Sequence, residues 1–352
     1  MGTGSIAAGF ALFLATGALP VSAHAQTSTL EVPAAKKWKH AQTGLIVPQA
    51  PGGLPRTEIT SEGQGELDIA VQFGDVNKTR ATLYLFRPSL MSVPVWFDRV
   101  ETQILLRSDY GNAVAADAPS GFVMPGGVTA SALRRIYKPS KPPYSATGAA
   151  VLALGDWLVV VRISSVEQAP AQLDATMSAL IAGLGWPAAS AKILEAPAAV
   201  PVQPCATPLR YDAKAKMKKP DMAAGLLGAT LAMMGSKQPK TEENAEEARP
   251  ATFCRDGEPT KEFGVYRHTP GDTQDYVIAL SDAGRTISVY PDLFSDAKKP
   301  GCAVTLSTLD QSFVYPTFDR LPEPAKVMQA IDKTQPISST TRDSQTINIQ
   351  TQ

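Results

Sequence analysis

Residues 147–164 constrain the fold more than any other stretch of this chain. TGAAVLAL runs into Gly155-Asp156 and then into WLVVVRIS. Two apolar runs joined by two turn residues, Gly first, read as a β-hairpin closed by a type II′ turn. A second hairpin precedes it. In ELDIAVQF, Leu67, Ile69, Val71 and Phe73 point one way, and Glu66, Asp68 and Gln72 point the other. That period of two is the mark of a half-buried antiparallel strand. Gly74 to Lys78 supplies the turn, and ATLYLFR from Ala81 is the partner strand.

Helical signals lie around these hairpins. Ser92 suits an N-cap and Pro94 a first helical turn. Val93, Trp96, Phe97, Val100 and Ile104 then fall on one helical face. Leu133 to Tyr137 reads as a weaker strand. Pro170 opens a second helix with Leu173, Met177, Leu180, Ile181 and Leu184 in helical register, and Gly183 and Gly185 end it. The element order is strands, helix, strands, helix. It predicts an α+β unit over residues 38–187, an antiparallel sheet with both helices packed on one face. In that order, and in its closing helix after a Trp-bearing strand, the unit resembles the PsbP-type α+β domain. The resemblance rests on element order alone and implies a fold, with no function attached.

The 352 residues suggest about two domains at roughly 150 residues each. Residues 26–37 read as a flexible N-terminal arm. Residues 188–250 read as an Ala/Pro- and charge-rich linker, with basic KAKMKK from Lys214 and acidic TEENAEEA from Thr241. Between these tracts, residues 221–235 hold a short apolar helix, too short for a span of about 20 residues. It docks on the protein's own core, contacts a partner, or inserts in a membrane. Residues 251–352 form a second α+β unit. EFGVYRH, DYVIALSD, RTISVYPD and CAVTLST are its strands, with a turn at Asp282-Ala283-Gly284. A helix spans Glu323 to Asp332, and TINIQT is an edge strand.

The leader sets the compartment. Residues 1–25 carry no Lys, Arg, Asp or Glu, and an apolar run from Ile6 to Leu19 ends at Pro20. Ala23-His24-Ala25 then matches an A-x-A cleavage pattern ahead of Gln26, although the first residues lack the usual positive charge. The expectation is an exported protein, periplasmic or extracellular, that begins at Gln26. Three cysteines remain, Cys205, Cys254 and Cys302. In an oxidising compartment they imply one disulfide and one free thiol. Three pairings are open. Cys205–Cys254 is favoured, because both lie in turn-rich sequence, whereas Cys302 opens an apolar strand.

Chemistry is sparse. There are 33 basic and 33 acidic residues, a balance that argues against nucleic acid as a partner. No zinc, P-loop, nucleophile-elbow or dinucleotide motif is present. No catalytic, cofactor-binding or metal-ligating residue is singled out, and no cofactor is implied. A single S-x-x-K, Ser295 to Lys298, has no companion motif. His40 and His268 read as surface histidines. Asp98, Glu101, Asp109 and Asp117 read as helix-face or loop acids. Trp96, Trp157 and Trp186 read as core. The function expected is contact with an envelope protein or small ligand by a non-catalytic module. The alternatives are an envelope hydrolase using Ser or carboxylate chemistry, and an assembly factor attached to a membrane through residues 222–234. No stable transmembrane span is expected in the mature chain.

Overall fold

The computed structural model describes residues 27–63, 65–188, 196–221, 252–269, 274–292, 295, 301–342 and 347–349. The expected leader, with Ala23, Ala25 and Gln26, lies outside the described residues. So do the apolar segment 222–235 and the acidic tract that follows it.

The described chain is a mixed α+β fold of mostly antiparallel sheets. It begins with β1 (Thr27–Thr29), β2 (Trp38–Lys39), β3 (Ile46–Val47), β4 (Arg56–Glu62), β5 (Asp68–Gly74), β6 (Thr79–Phe86) and helix α1 (Val93–Leu105). Next come β7 (Val114–Ala115), β8 (Ser120–Phe122), β9 (Ala132–Lys138), β10 (Ala146–Leu154), β11 (Trp157–Ser165) and helix α2 (Pro170–Ala182). The remainder holds β12 (Gln203–Pro204), β13 (Thr252–Arg255), β14 (Phe263–Thr269), β15 (Tyr276–Leu280), β16 (Arg285–Pro291), β17 (Cys302–Ser307) and β18 (Gln311–Phe318). Helix α3 (Pro324–Lys333), β19 (Ser338–Thr341) and β20 (Ile347–Ile349) complete it.

The first sheet runs β1-β4-β5-β6-β11-β10-β9-β7, with β8 also paired to β9. Its central hairpin has the expected register, with Leu154 opposite Trp157. Gly155 takes φ +62° at the first turn position, as a II′ turn needs. Ser92 caps α1 by accepting a hydrogen bond from the Val95 N–H.

The two helices lie on opposite faces of this sheet, which corrects the expectation of one shared face. Ala150, Leu152 and Leu154 of β10 pack with Leu173, Met177 and Leu180 of α2. Ala149, Val151 and Ala153 pack with Trp96, Phe97 and Val100 of α1. The physical reason is in β10 itself. All nine of its positions are buried, and a strand apolar at every position needs cover on both sides.

The second sheet is a meander in chain order from β13 to β20, and β12 adds in parallel at its edge. One face carries Val265, Ile278, Ile287, Val289 and Val304, and Val327 of α3 packs on it. The other face gives Phe253, Tyr266 and Ala279 to the same cluster as α1 and the first sheet. Helix α1 therefore lies between the two sheets.

Two stretches expected to be loose are instead paired. Residues 27–29, placed in the flexible arm, form β1 on the open edge of β4. Arg56 holds the next residues by donating to the carbonyls of Pro33 (3.1 Å) and Lys36 (3.0 Å). Within the linker stretch, Ala199 N–H donates to the Ala130 carbonyl and Lys218 N–H to the Thr317 carbonyl. Lys216 N–H donates to Asp319 Oδ1 at 2.8 Å. Lys216 and Lys218 are thus paired with the end of β18 and the residue after it.

Cys205 and Cys254 are joined by a disulfide, with a Cα–Cα distance of 4.9 Å. It fastens the residue after β12 to β13, where the Cys205 N–H already donates to the Arg255 carbonyl. Cys302 is a buried free thiol, pushed up to about 11, first by burial and then by the charge of Asp292. Alkylation of the folded, unreduced protein is expected to label nothing readily, because the thiolate is the reactive form. After unfolding without reductant, Cys302 alone is expected to react. Peptide mapping that finds Cys302 labelled in the native state contradicts this.

Candidate functional site

Helix α1 carries a cluster of ionisable side chains bonded across to both sheets. Asp98 and Glu101 are three residues apart, so they are neighbours on the helix surface. Each is held by one arginine and one tyrosine. Asp98 Oδ1 accepts from Arg255 Nη1 at 2.5 Å, and Oδ2 accepts from the Tyr266 hydroxyl at 2.6 Å. Glu101 Oε1 accepts from Arg135 Nη1 at 2.6 Å and from the Tyr137 hydroxyl at 2.9 Å. The donors to Asp98 come from β13 and β14 in the second sheet. Those to Glu101 come from β9 in the first. One helix is thereby bonded to both sheets through the same chemistry.

Arg99, between them in sequence, is fully buried. Its Nε donates to the Ser281 carbonyl at 2.6 Å, and its Nη2 to the carbonyls of Thr260 (2.8 Å) and Lys261 (3.1 Å). These acceptors lie in the β13–β14 and β15–β16 connections. Its Nη1 passes over Gly264, where a Cβ would lie 3.0 Å from it, and has no hydrogen-bond partner among the described residues. A Cβ there would also lie 2.8 Å from the Tyr266 hydroxyl, so both side chains pass close over this glycine.

More contacts surround this centre. Ser89 N–H donates to the Gly284 carbonyl, and the Ser89 hydroxyl shares a hydrogen bond with Thr286. Arg162 pairs with Asp282. Gly284, at φ +73°, lies so close to Phe86 and Leu309 that a Cβ would come within 2.8 Å of each. Burial pushes the Asp98 carboxyl up against the opposing pull of Tyr266 and Arg255. Burial is also the main cause that raises the phenols of Tyr137 and Tyr266. Asp68, at the start of β5, is pushed up to about 6, first by burial and next by the charge of Glu62.

The other candidates are scattered. Asp109 pairs with Arg107 at the surface, and the Asp117 carbonyl accepts from Arg135. Ser295 donates to the Asp292 carbonyl, and Lys298 lies outside the described residues. Trp96 and Trp157 are buried, and Trp186 packs partly buried on the first core. His268 is exposed and lies against Phe253. Among the described residues, no group of three or more His, Cys, Asp and Glu side chains is arranged to hold a metal ion.

His40 departs from expectation, because it is fully buried. Its Nε2 donates to the Glu66 carbonyl at 3.0 Å, and its Nδ1 accepts from the Thr43 N–H at 3.2 Å. Its ring meets Trp157 edge-on at 4.8 Å. Both ring nitrogens are thus used by a neutral imidazole. The lysines beside it in sequence hid this, because they sit on exposed positions of a short ribbon whose other side faces the core.

The burial of Asp98, Arg99 and Tyr266 was not legible either, although one signal was present. Val95 lies on the far side of α1 from its apolar stripe. A helix apolar on both sides is a buried helix. No family model, curated protein or solved structure matches the chain.

The buried imidazole gives a pH dependence. Burial lowers the His40 pKa below its ordinary 6.5. The unfolded chain therefore binds the proton more readily, and stability falls as pH drops below about 6.5, levelling off below the folded pKa. Denaturant unfolding at several pH values is expected to show this loss, and His40→Asn to reduce it. An unchanged pH profile in His40→Asn contradicts the assignment.

Proposed function

We propose that this is an exported cell-envelope protein that acts by contact, as a non-catalytic module for a partner protein or a small ligand. The observation that carries the reading is the Cys205–Cys254 bridge, because disulfides persist in oxidising compartments such as the periplasm and the extracellular space. The A-x-A pattern at Ala23 and Ala25, ahead of Gln26, supports the same compartment.

The contact role is supported by how the charged groups are used. Asp98 and Glu101, the acids a carboxylate hydrolase would draw on, are each taken up by an arginine and a tyrosine. We further propose two units, residues 38–187 with a PsbP-like element order and residues 251–352. The 188–250 stretch would join them and α1 would clamp them.

The test is to isolate the protein from its native envelope fraction after chemical cross-linking, then to sequence its N-terminus. Gln26 as the first residue, oxidised Cys205 and Cys254, and a defined cross-linked species are expected. An intact Met1 with reduced cysteines in the cytosolic fraction contradicts export. An oxidised envelope form that forms no cross-linked species and retains no ligand contradicts the contact role.

A further inference from the structure

We propose that the surface at the C-terminal end of α1 is a contact for anionic lipid headgroups, so that the protein rests on a membrane surface without entering it. The inference rests on the contact-acting reading and names the partner. Helix α1 ends in two neighbouring aliphatic residues left in water, Leu105 (39% exposed) and Leu106 (44%). Val114, a few residues further on, is 65% exposed on β7. Arg107 follows the leucines directly, and its guanidinium lies 5.2 Å from the Tyr110 ring. That ring meets Tyr144 edge-on at 5.2 Å. Arg80 lies 5.6 Å from the Tyr144 ring and donates to its hydroxyl at 2.8 Å. Lys141 is exposed on the adjoining loop, which is tied to Tyr110 by the Ser140 N–H donating to the Tyr110 carbonyl.

Arg80 and Arg107 each lie against a tyrosine ring. Arg107 has one carboxylate partner, Asp109, at 3.1 Å. Among the described residues, Arg80 and Lys141 form no ion pair. A pair of tyrosines thus lies between two guanidiniums, Arg80 and Lys141 are cations with no acid paired to them among the described residues, and the exposed leucines directly precede Arg107. Cations draw a protein to an anionic bilayer surface by about 1 kcal/mol each. Aliphatic side chains beside them gain by burial at the headgroup boundary. Both features are used at a lipid surface, whereas an acidic polysaccharide would use the cations and leave Leu105 and Leu106 wet.

Co-sedimentation of the mature chain with vesicles tests this. One set contains equal parts phosphatidylglycerol and phosphatidylcholine, and the other phosphatidylcholine alone. Binding to the first set only, weakened by salt, is expected. Lys141→Gln is expected to weaken it about fivefold, the equivalent of about 1 kcal/mol. Leu106→Ser is expected to weaken it as well, and Lys214→Gln with Lys219→Gln to leave it unchanged. Leu106 and Lys141 are exposed, and unaltered thermal melting of their variants confirms that folding is retained. Absence of binding overturns the proposal, as does binding that depends on Lys214 and Lys219 instead. Binding to alginate but not to vesicles reassigns the surface to an acidic polysaccharide and also overturns it. None of these outcomes bears on the processed N-terminus or on the cross-linked species.

Discussion

Arg99 sits between the two sheets with its charge removed from water, its Nε and Nη2 donating to three backbone carbonyls of the second sheet's connections and its Nη1 without a partner among the described residues. A buried guanidinium is costly unless its donors are used, and the effective penalty is several kcal/mol per ion. Asp98 beside it is buried too and takes both its donors from the second sheet. Glu101, one turn on, takes its donors from the first. Moving either sheet away from α1 would leave at least one of these charges without its partners. The packing of apolar residues around α1 is not directional. The charged groups fix which loops and which strands meet it.

The disulfide extends this arrangement to the edge of the second sheet. Cys254 is followed by Arg255, which reaches Asp98, and by Asp256, which accepts from the Leu209 N–H at 3.0 Å and from the Tyr211 hydroxyl. Two successive residues at the end of β13 thus hold the interior helix on one side and the crossing segment on the other. The bridge keeps β12 against that strand. In the loop-entropy model, closing a loop of this order contributes roughly 3–4 kcal/mol. Ala215, Met217 and Tyr211 from the same segment cover the outer core of the second sheet together with α3.

Much of the local structure was legible in the sequence. The hairpins at Gly155-Asp156 and Asp282-Ala283-Gly284, the Ser92 cap and the start of α2 at Pro170 all rest on short-range chemistry that a sequence states directly, whereas the Cys205–Cys254 pair was favoured among three open pairings. What was not legible depended on partners far along the chain. Strand β4 reads RTEITSE and has little apolar patterning, so only its pairing with β5 reveals it. Strand β18 contains Pro316, which obscures a strand pattern. The alternation of β10 between two cores follows from its being apolar at every position. The assignment of each face to a particular helix needs the three-dimensional path. The same holds for the candidate site. The Asp98 and Glu101 spacing is visible in the sequence, but Arg255 and Tyr266 are 157 and 168 residues from Asp98.

The central claim is that α1, through Arg99 and its neighbours, holds the second sheet onto the first. Native-state hydrogen exchange of the Arg99→Met variant tests it most directly. Methionine keeps much of the side-chain volume and removes the charge and the donors. Protection of the β14–β16 amides is expected to fall by about 1–3 kcal/mol, the cost of leaving buried backbone acceptors without their donors. Unchanged protection in β14–β16 would contradict the claim.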